Sequence, residues 1–165
     1  MLWPVFNSYH RLHRNAQMTY EEITAGFRAL QASDFDYKNI NAHGWERLAE
    51  LTAALMTVPG AEKAIPEMFS VMERLPDADF GSPGPLVHTM ERWRGGYEDE
   101  LVNSVRRCPS MLSLWMVNRI LNTDLPDDIR RSYMALLNEA ATHPNAPETV
   151  REDARGFVEF QMRKI

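Results

Sequence analysis

A single cysteine, Cys108, stands in a chain of 165 residues, so no intrachain disulfide can form. That scarcity suits a reducing compartment. Beside Pro109 and an apolar run, the thiol reads as a small buried hydrophobe rather than a nucleophile. Positive charge is also short: 18 Lys and Arg against 23 Asp and Glu leave a net charge of −5. The chain therefore lacks the cationic footprint that holds phosphates, which argues against direct nucleic-acid binding. No apolar run approaches the ~20 residues that cross a bilayer. The opening Met1-Leu2-Trp3-Pro4-Val5-Phe6 has no basic lead and is too short for a secretory signal, so the cytoplasm is the expected location and no membrane contact is expected. Apolar–polar alternation long enough for a strand is missing as well, which leaves helices as the only regular element.

What is present suits a globular protein. Hydrophobic residues make up 44% and charged residues 25%, close to the average for soluble domains. At this length folding buries about 70% of the unfolded surface. One helical domain over 1–165, without metal, cofactor or disulfide, is the expected organisation.

Periodicity predicts eight helices, over about 19–32, 44–58, 61–75, 83–94, 97–107, 109–122, 126–142 and 147–163. Thr19 with Glu22 forms a capping box. Ile65, Met68, Phe69, Met72 and Leu75 repeat with helical spacing, and Pro66 falls early enough to be tolerated. Met111 to Leu121 is apolar nearly all round, which marks its helix as the most buried. Pro126 is expected at the first position of its helix, whose stripe is Ile129, Tyr133, Leu136, Leu137 and Ala140. The short connections favour antiparallel hairpins, stacked in the manner of armadillo or HEAT arrays or gathered in a compact bundle.

The segment Gly81-Ser82-Pro83-Gly84-Pro85-Leu86-Val87-His88-Thr89-Met90-Glu91 looks at first like chemistry. His88 and Glu91 lie three apart and share a helix face, as a base and its orienting partner would. No third group at defined spacing supports catalysis, and the glycines are misplaced for a nucleophile elbow around Ser82. Ser82 reads instead as a helix N-cap with Pro83 at the first helical position. His10 and His13 lack the further ligands zinc needs, and His43 and His143 fall in loops without partners, so no metal site is expected. Most methionines and Trp45 and Trp115 fall on core stripes, whereas Trp3 and Trp93 sit near ends where an aromatic can anchor a partner.

The acids say more. Glu98, Asp99 and Glu100 open one helix, and Asp124, Asp127 and Asp128 open another two helices on. Acids favour helix N-termini by ~0.3–1 kcal/mol each. Six together exceed what capping two helices requires, and up-down packing places both starts on one edge. That edge is a candidate dock for a basic protein, because charge complementarity speeds encounter.

Three blocks carry a resemblance: Phe80 to Glu91, Tyr97 to Ser104, and Pro109-Ser110 through Trp115-Met116-Val117-Asn118-Arg119 to Asn122. Together they resemble small bacterial immunity proteins paired with contact-dependent growth inhibition or other polymorphic toxins. The resemblance implies a non-catalytic, cytoplasmic, all-helical protein that binds the C-terminal domain of a cognate toxin and occludes its active site or substrate path. Many such toxins are basic nucleases, with which the acidic balance agrees. It also implies that Gly84, Pro85, His88, Glu91, Asn118 and Arg119 form a buried polar junction between the helices over 83–94 and 109–122. Two other readings stand beside it: a helical hydrolase working at His88 and Glu91, and a helical-repeat scaffold for a different partner. Oligomeric state is not legible at this level.

Overall fold

Thr19 opens the first helix as its spacing predicts. Its hydroxyl accepts the Glu22 N–H at 3.2 Å, while its own N–H donates to the Glu22 carboxylate at 2.8 Å. The computed structural model describes residues 17–81 and 83–164. Among these the chain is all-helical, without strands: α1 (Tyr20–Ala29), α2 (Gly44–Leu55), α3 (Ile65–Arg74), α4 (Gly84–Met90), α5 (Glu98–Arg107), α6 (Met111–Leu121), α7 (Asp127–Ala140) and α8 (Glu148–Met162). Short 3-10 turns at Ala32–Phe35, Ala61–Ala64 and Glu91–Trp93 fill three of the connections.

The helices pack in two rows. In one, α1 rests on α3, α3 on α5 and α5 on α7. In the other, α2 rests on α4 and α6 on α8. Contacts of α1 with α2, α5 with α6, and α7 with α8 tie the rows together, while α3 also reaches α6. This is the stack of hairpins that the connection lengths favour, with one irregularity. The seven-residue α4 is too short to carry its row across to α6, and Gly81 and Gly84 explain how it is entered. Both adopt left-handed backbone, at φ 88° and 66°, which only glycine does at little cost.

Apolar stripes close between the rows. Ile23, Phe27, Leu48, Leu51, Leu55, Met68, Met72, Leu86, Met90 and Leu101 are fully buried. As predicted, α6 is the most enclosed helix, with Leu112, Leu114, Met116, Val117 and Leu121 inside. It is also capped by a device the periodicity did not reveal. The Ser110 hydroxyl accepts from the Ser113 N–H at 3.1 Å, and the Ser110 N–H donates to the Ser113 hydroxyl at 3.0 Å.

Four expectations need correcting. The helix expected over 83–94 is α4 followed by a 3-10 turn, because Glu91 begins a tighter winding. Pro83 is the residue before α4 rather than its first, and Pro126 likewise precedes α7; Ser82 lies outside the described residues. Between the first two predicted helices, Phe35 is a core residue whose ring meets Phe80 edge-on at 4.8 Å and Trp45 at 5.7 Å. Ile129, placed on the buried stripe of α7, is 42% exposed.

Candidate functional site

The acidic residues that open α5 and α7 were expected on one edge. Because α5 packs on α7, Glu98 at the first turn of α5 and Ile129 at the first turn of α7 line the same cleft, of about 490 Å³. The end of α6 supplies the third wall through Arg119 and Ile120, and the connection to α7 adds Leu125. Glu91 and Arg94, on and just after the 3-10 turn that follows α4, stand at its other side.

Two tyrosines distinguish this cleft from the rest of the surface. Tyr97 precedes α5 and is only 3% exposed, yet it lines the cleft. Its hydroxyl, like that of half-buried Tyr133, has no hydrogen-bond partner among the described residues. Burial, then the negative charge of Glu98 and Glu91, pushes the Tyr97 phenol up to about 12. The Tyr133 phenol is raised by burial and then by Glu98 and Asp99. Both therefore stay protonated at neutral pH and sense a field that is negative overall.

The six acids divide by what they touch. Glu98 accepts the Gly95 N–H at 2.9 Å and the Tyr97 N–H at 3.1 Å, so it closes the turn that leads into α5. Glu100 is drawn away from the cleft toward Arg107, which it meets at 2.6 Å and which also holds Glu73 of α3 at 2.7 Å. Asp99, Asp124, Asp127 and Asp128 are exposed and form no ion pair among the described residues. Asp127 also borders a second cleft that contains Arg130, Arg131 and Lys164, so the edge is acidic in patches rather than throughout.

The junction expected from His88, Glu91, Asn118 and Arg119 separates into three places. Glu91 meets Arg119 at 2.9 Å, and the Arg119 guanidinium lies 4.8 Å from the centre of the Trp115 ring, so this pair does join the 3-10 turn to α6. Asn118 is buried, but its side-chain partner is Gln161 of α8 at 2.7 Å, not α4. His88 is exposed and lines a shallow groove with Ala49 and Thr52 of α2 and Met56 just after it. His88 and Glu91 thus open onto different clefts, because α4 ends between them and the winding tightens.

The remaining sequence candidates are placed as follows. His10, His13 and Trp3 lie outside the described residues. His143 has partners after all: its Nε2 lies 2.9 Å from the Arg106 carbonyl, and its Nδ1 accepts the Asn145 N–H at 3.3 Å. Trp93 is half-buried against the core rather than free. Cys108 is half-buried, with Sγ 3.4 Å from the Glu73 carbonyl, and burial raises its thiol above the ordinary range. Among the described residues no group of three His, Cys, Asp or Glu is placed to hold a metal ion. No helix among them is long and apolar enough to cross a membrane.

Sequence reasoning missed Tyr97 and Tyr133 as cleft residues. Tyr133 was absorbed into the apolar stripe of α7, and Tyr97 into the start of α5. The available signal was an aromatic with a polar tip set directly beside a run of three acids. Compared with family models, with curated protein sequences and with solved structures, the chain matches none.

Proposed function

We propose that this chain is an immunity-type binding protein that neutralises a cognate toxin domain, a basic nuclease, by covering its active site. The carrying observation is the cleft at the opening of α5 and α7. It offers a concave, partly apolar surface lined by Glu91 and Glu98, and the same helix starts carry exposed Asp99, Asp124, Asp127 and Asp128, none of them engaged in an ion pair among the described residues. Acids that neither brace the fold nor pair with neighbours are available to steer a basic partner. The resemblance of residues 80–122 to immunity proteins supplies the class of partner, and that stretch contains Glu91, Tyr97, Glu98 and Arg119 of the cleft.

Co-purification from the native host tests this reading. A stoichiometric complex with a small basic domain, one that arrests growth when expressed alone and is silenced by co-expression of this chain, is the expected result. Recovery of no such domain, or growth arrest unchanged by co-expression, contradicts it.

A further inference from the structure

Besides the cleft offered to a protein partner, a second cleft of about 490 Å³ opens at the end of α6. We propose that this second cleft binds a phosphate group that still carries a proton. The site goes beyond the immunity reading and does not depend on it.

Charge comes first. Arg130 and Arg131 of α7 and Lys164, just after α8, line the cleft against a single carboxylate, Asp127. None of the three cations forms an ion pair among the described residues. In a chain of net charge −5 this is a local excess of positive charge, too small for a nucleic-acid surface and enough for one oxyanion.

Two of the cations are held in place. The Arg130 guanidinium donates to the Leu121 carbonyl at 2.9 Å and to the Thr123 carbonyl at 3.1 Å, which closes the end of α6. The Lys164 ammonium donates to the Asn122 side-chain oxygen at 2.7 Å and lies 4.4 Å from the centre of the Phe160 ring. Both keep further N–H groups to give, since a guanidinium carries five and an ammonium three. Arg131 is exposed, and its planar fork suits paired oxygens.

The enclosed part of the lining decides which oxyanion fits. Gln161 of α8 lines the cleft and is 2% exposed, and its amide donates to the side-chain oxygens of Asn118 at 2.7 Å and Asn122 at 2.9 Å. Its Oε1 is buried and has no hydrogen-bond partner among the described residues. An enclosed acceptor without a donor costs free energy, which a ligand that supplies the donor restores. The cations thus call for an anion, and Gln161 calls for a donor. Hydrogen phosphate meets both demands, with ionised oxygens for the cations and a P–OH for the Gln161 oxygen. Sulfate, fully ionised, meets only the first.

The test needs no partner protein. Inorganic phosphate is titrated into the ¹⁵N-labelled full chain at slightly acid pH, where it keeps a proton, with sulfate beside it and ionic strength held by sodium chloride. The expected result is saturable shifts confined to Asn122, Thr123, Arg131, Gln161 and Lys164, with sulfate bound more weakly despite its greater charge. Arg131→Gln and Lys164→Gln each weaken the phosphate response about 2- to 5-fold, as for one exposed ion pair. Both side chains are exposed, so both variants are expected to melt with wild type; should Lys164→Gln not, through loss of its bond to Asn122, Arg131→Gln still decides. Glycerol 2-phosphate, run in parallel, separates the sources: tighter binding than inorganic phosphate assigns the cleft to an ester, weaker binding to the free ion. Sulfate bound as tightly as phosphate, shifts reproduced by sodium chloride alone, or an Arg131→Gln response equal to wild type overturns the proposal. A negative phosphate titration beside a confirmed toxin complex overturns this cleft and leaves the immunity reading standing.

Discussion

The Gln161 amide of α8 donates to the Asn118 side-chain oxygen of α6 at 2.7 Å, and to the Asn122 side-chain oxygen at 2.9 Å. Gln161 is 2% exposed and Asn118 is 9% exposed, so this bond joins the last two members of the α6–α8 row inside the protein. Replacing Asn118 by alanine leaves a buried donor with one fewer acceptor. Stability is expected to fall by ~1–3 kcal/mol, read as a lower urea midpoint with an unchanged slope. A midpoint equal to wild type contradicts the role.

His88 carries the opposite expectation. Being exposed on a shallow groove, His88→Ala shifts stability by no more than about 0.5 kcal/mol, as for other surface changes. Phe80→Ala provides the contrast. That ring is 1% exposed and packs edge-on against Phe35, and its loss costs about 3–5 kcal/mol. Thermal melts of the two variants, run together, separate surface from core along the stretch from Phe80 to Glu91.

Alkaline titration reports on Tyr97. Its phenol rises from 10.0 in the unfolded chain to about 12 when folded, through burial first and then Glu98 and Glu91. Between those values the unfolded chain has released a proton that the native one keeps, so native stability falls as pH rises. The contribution is complete below pH 10 and lost as pH climbs through about 12. Phenolate absorbance is expected to show a late-titrating tyrosine that Tyr97→Phe removes. A titration of the folded protein without a late step contradicts the enclosed setting of Tyr97.

Charge reversal at the exposed aspartates of the α5 and α7 starts tests steering. Asp99, Asp127 and Asp128 are the residues to change, since Glu98 closes the turn before α5 and its loss confounds folding with binding. The triple lysine variant is expected to fold like wild type and to associate with a basic partner several-fold more slowly at low salt, the difference shrinking as salt rises. An unchanged on-rate rules out steering by these aspartates.

Much of the architecture was legible because helix periodicity and capping are local. Thr19 with Glu22, the stripe from Ile65 to Leu75 and the apolar girth of α6 all follow from spacing alone. What escaped depends on distant pairing. Phe35 lies in a polar stretch and becomes core only because Phe80 and Trp45 close on it. Asn118 finds its partner 43 residues away on α8, which no spacing rule reaches. His88 and Glu91 satisfy the three-residue rule, yet α4 ends at Met90 and the tighter turn sends them to different clefts. Of the six acids expected on one edge only Glu98 lines the cleft, and the two tyrosines beside it were hidden among core aromatics.

The most direct test of the account is to titrate this chain into the basic domain proposed as its partner, while following the activity of that domain. The account predicts a linear loss of activity that reaches completion at equal molar amounts, as one molecule covers one active site. Activity that persists in the presence of excess chain contradicts it.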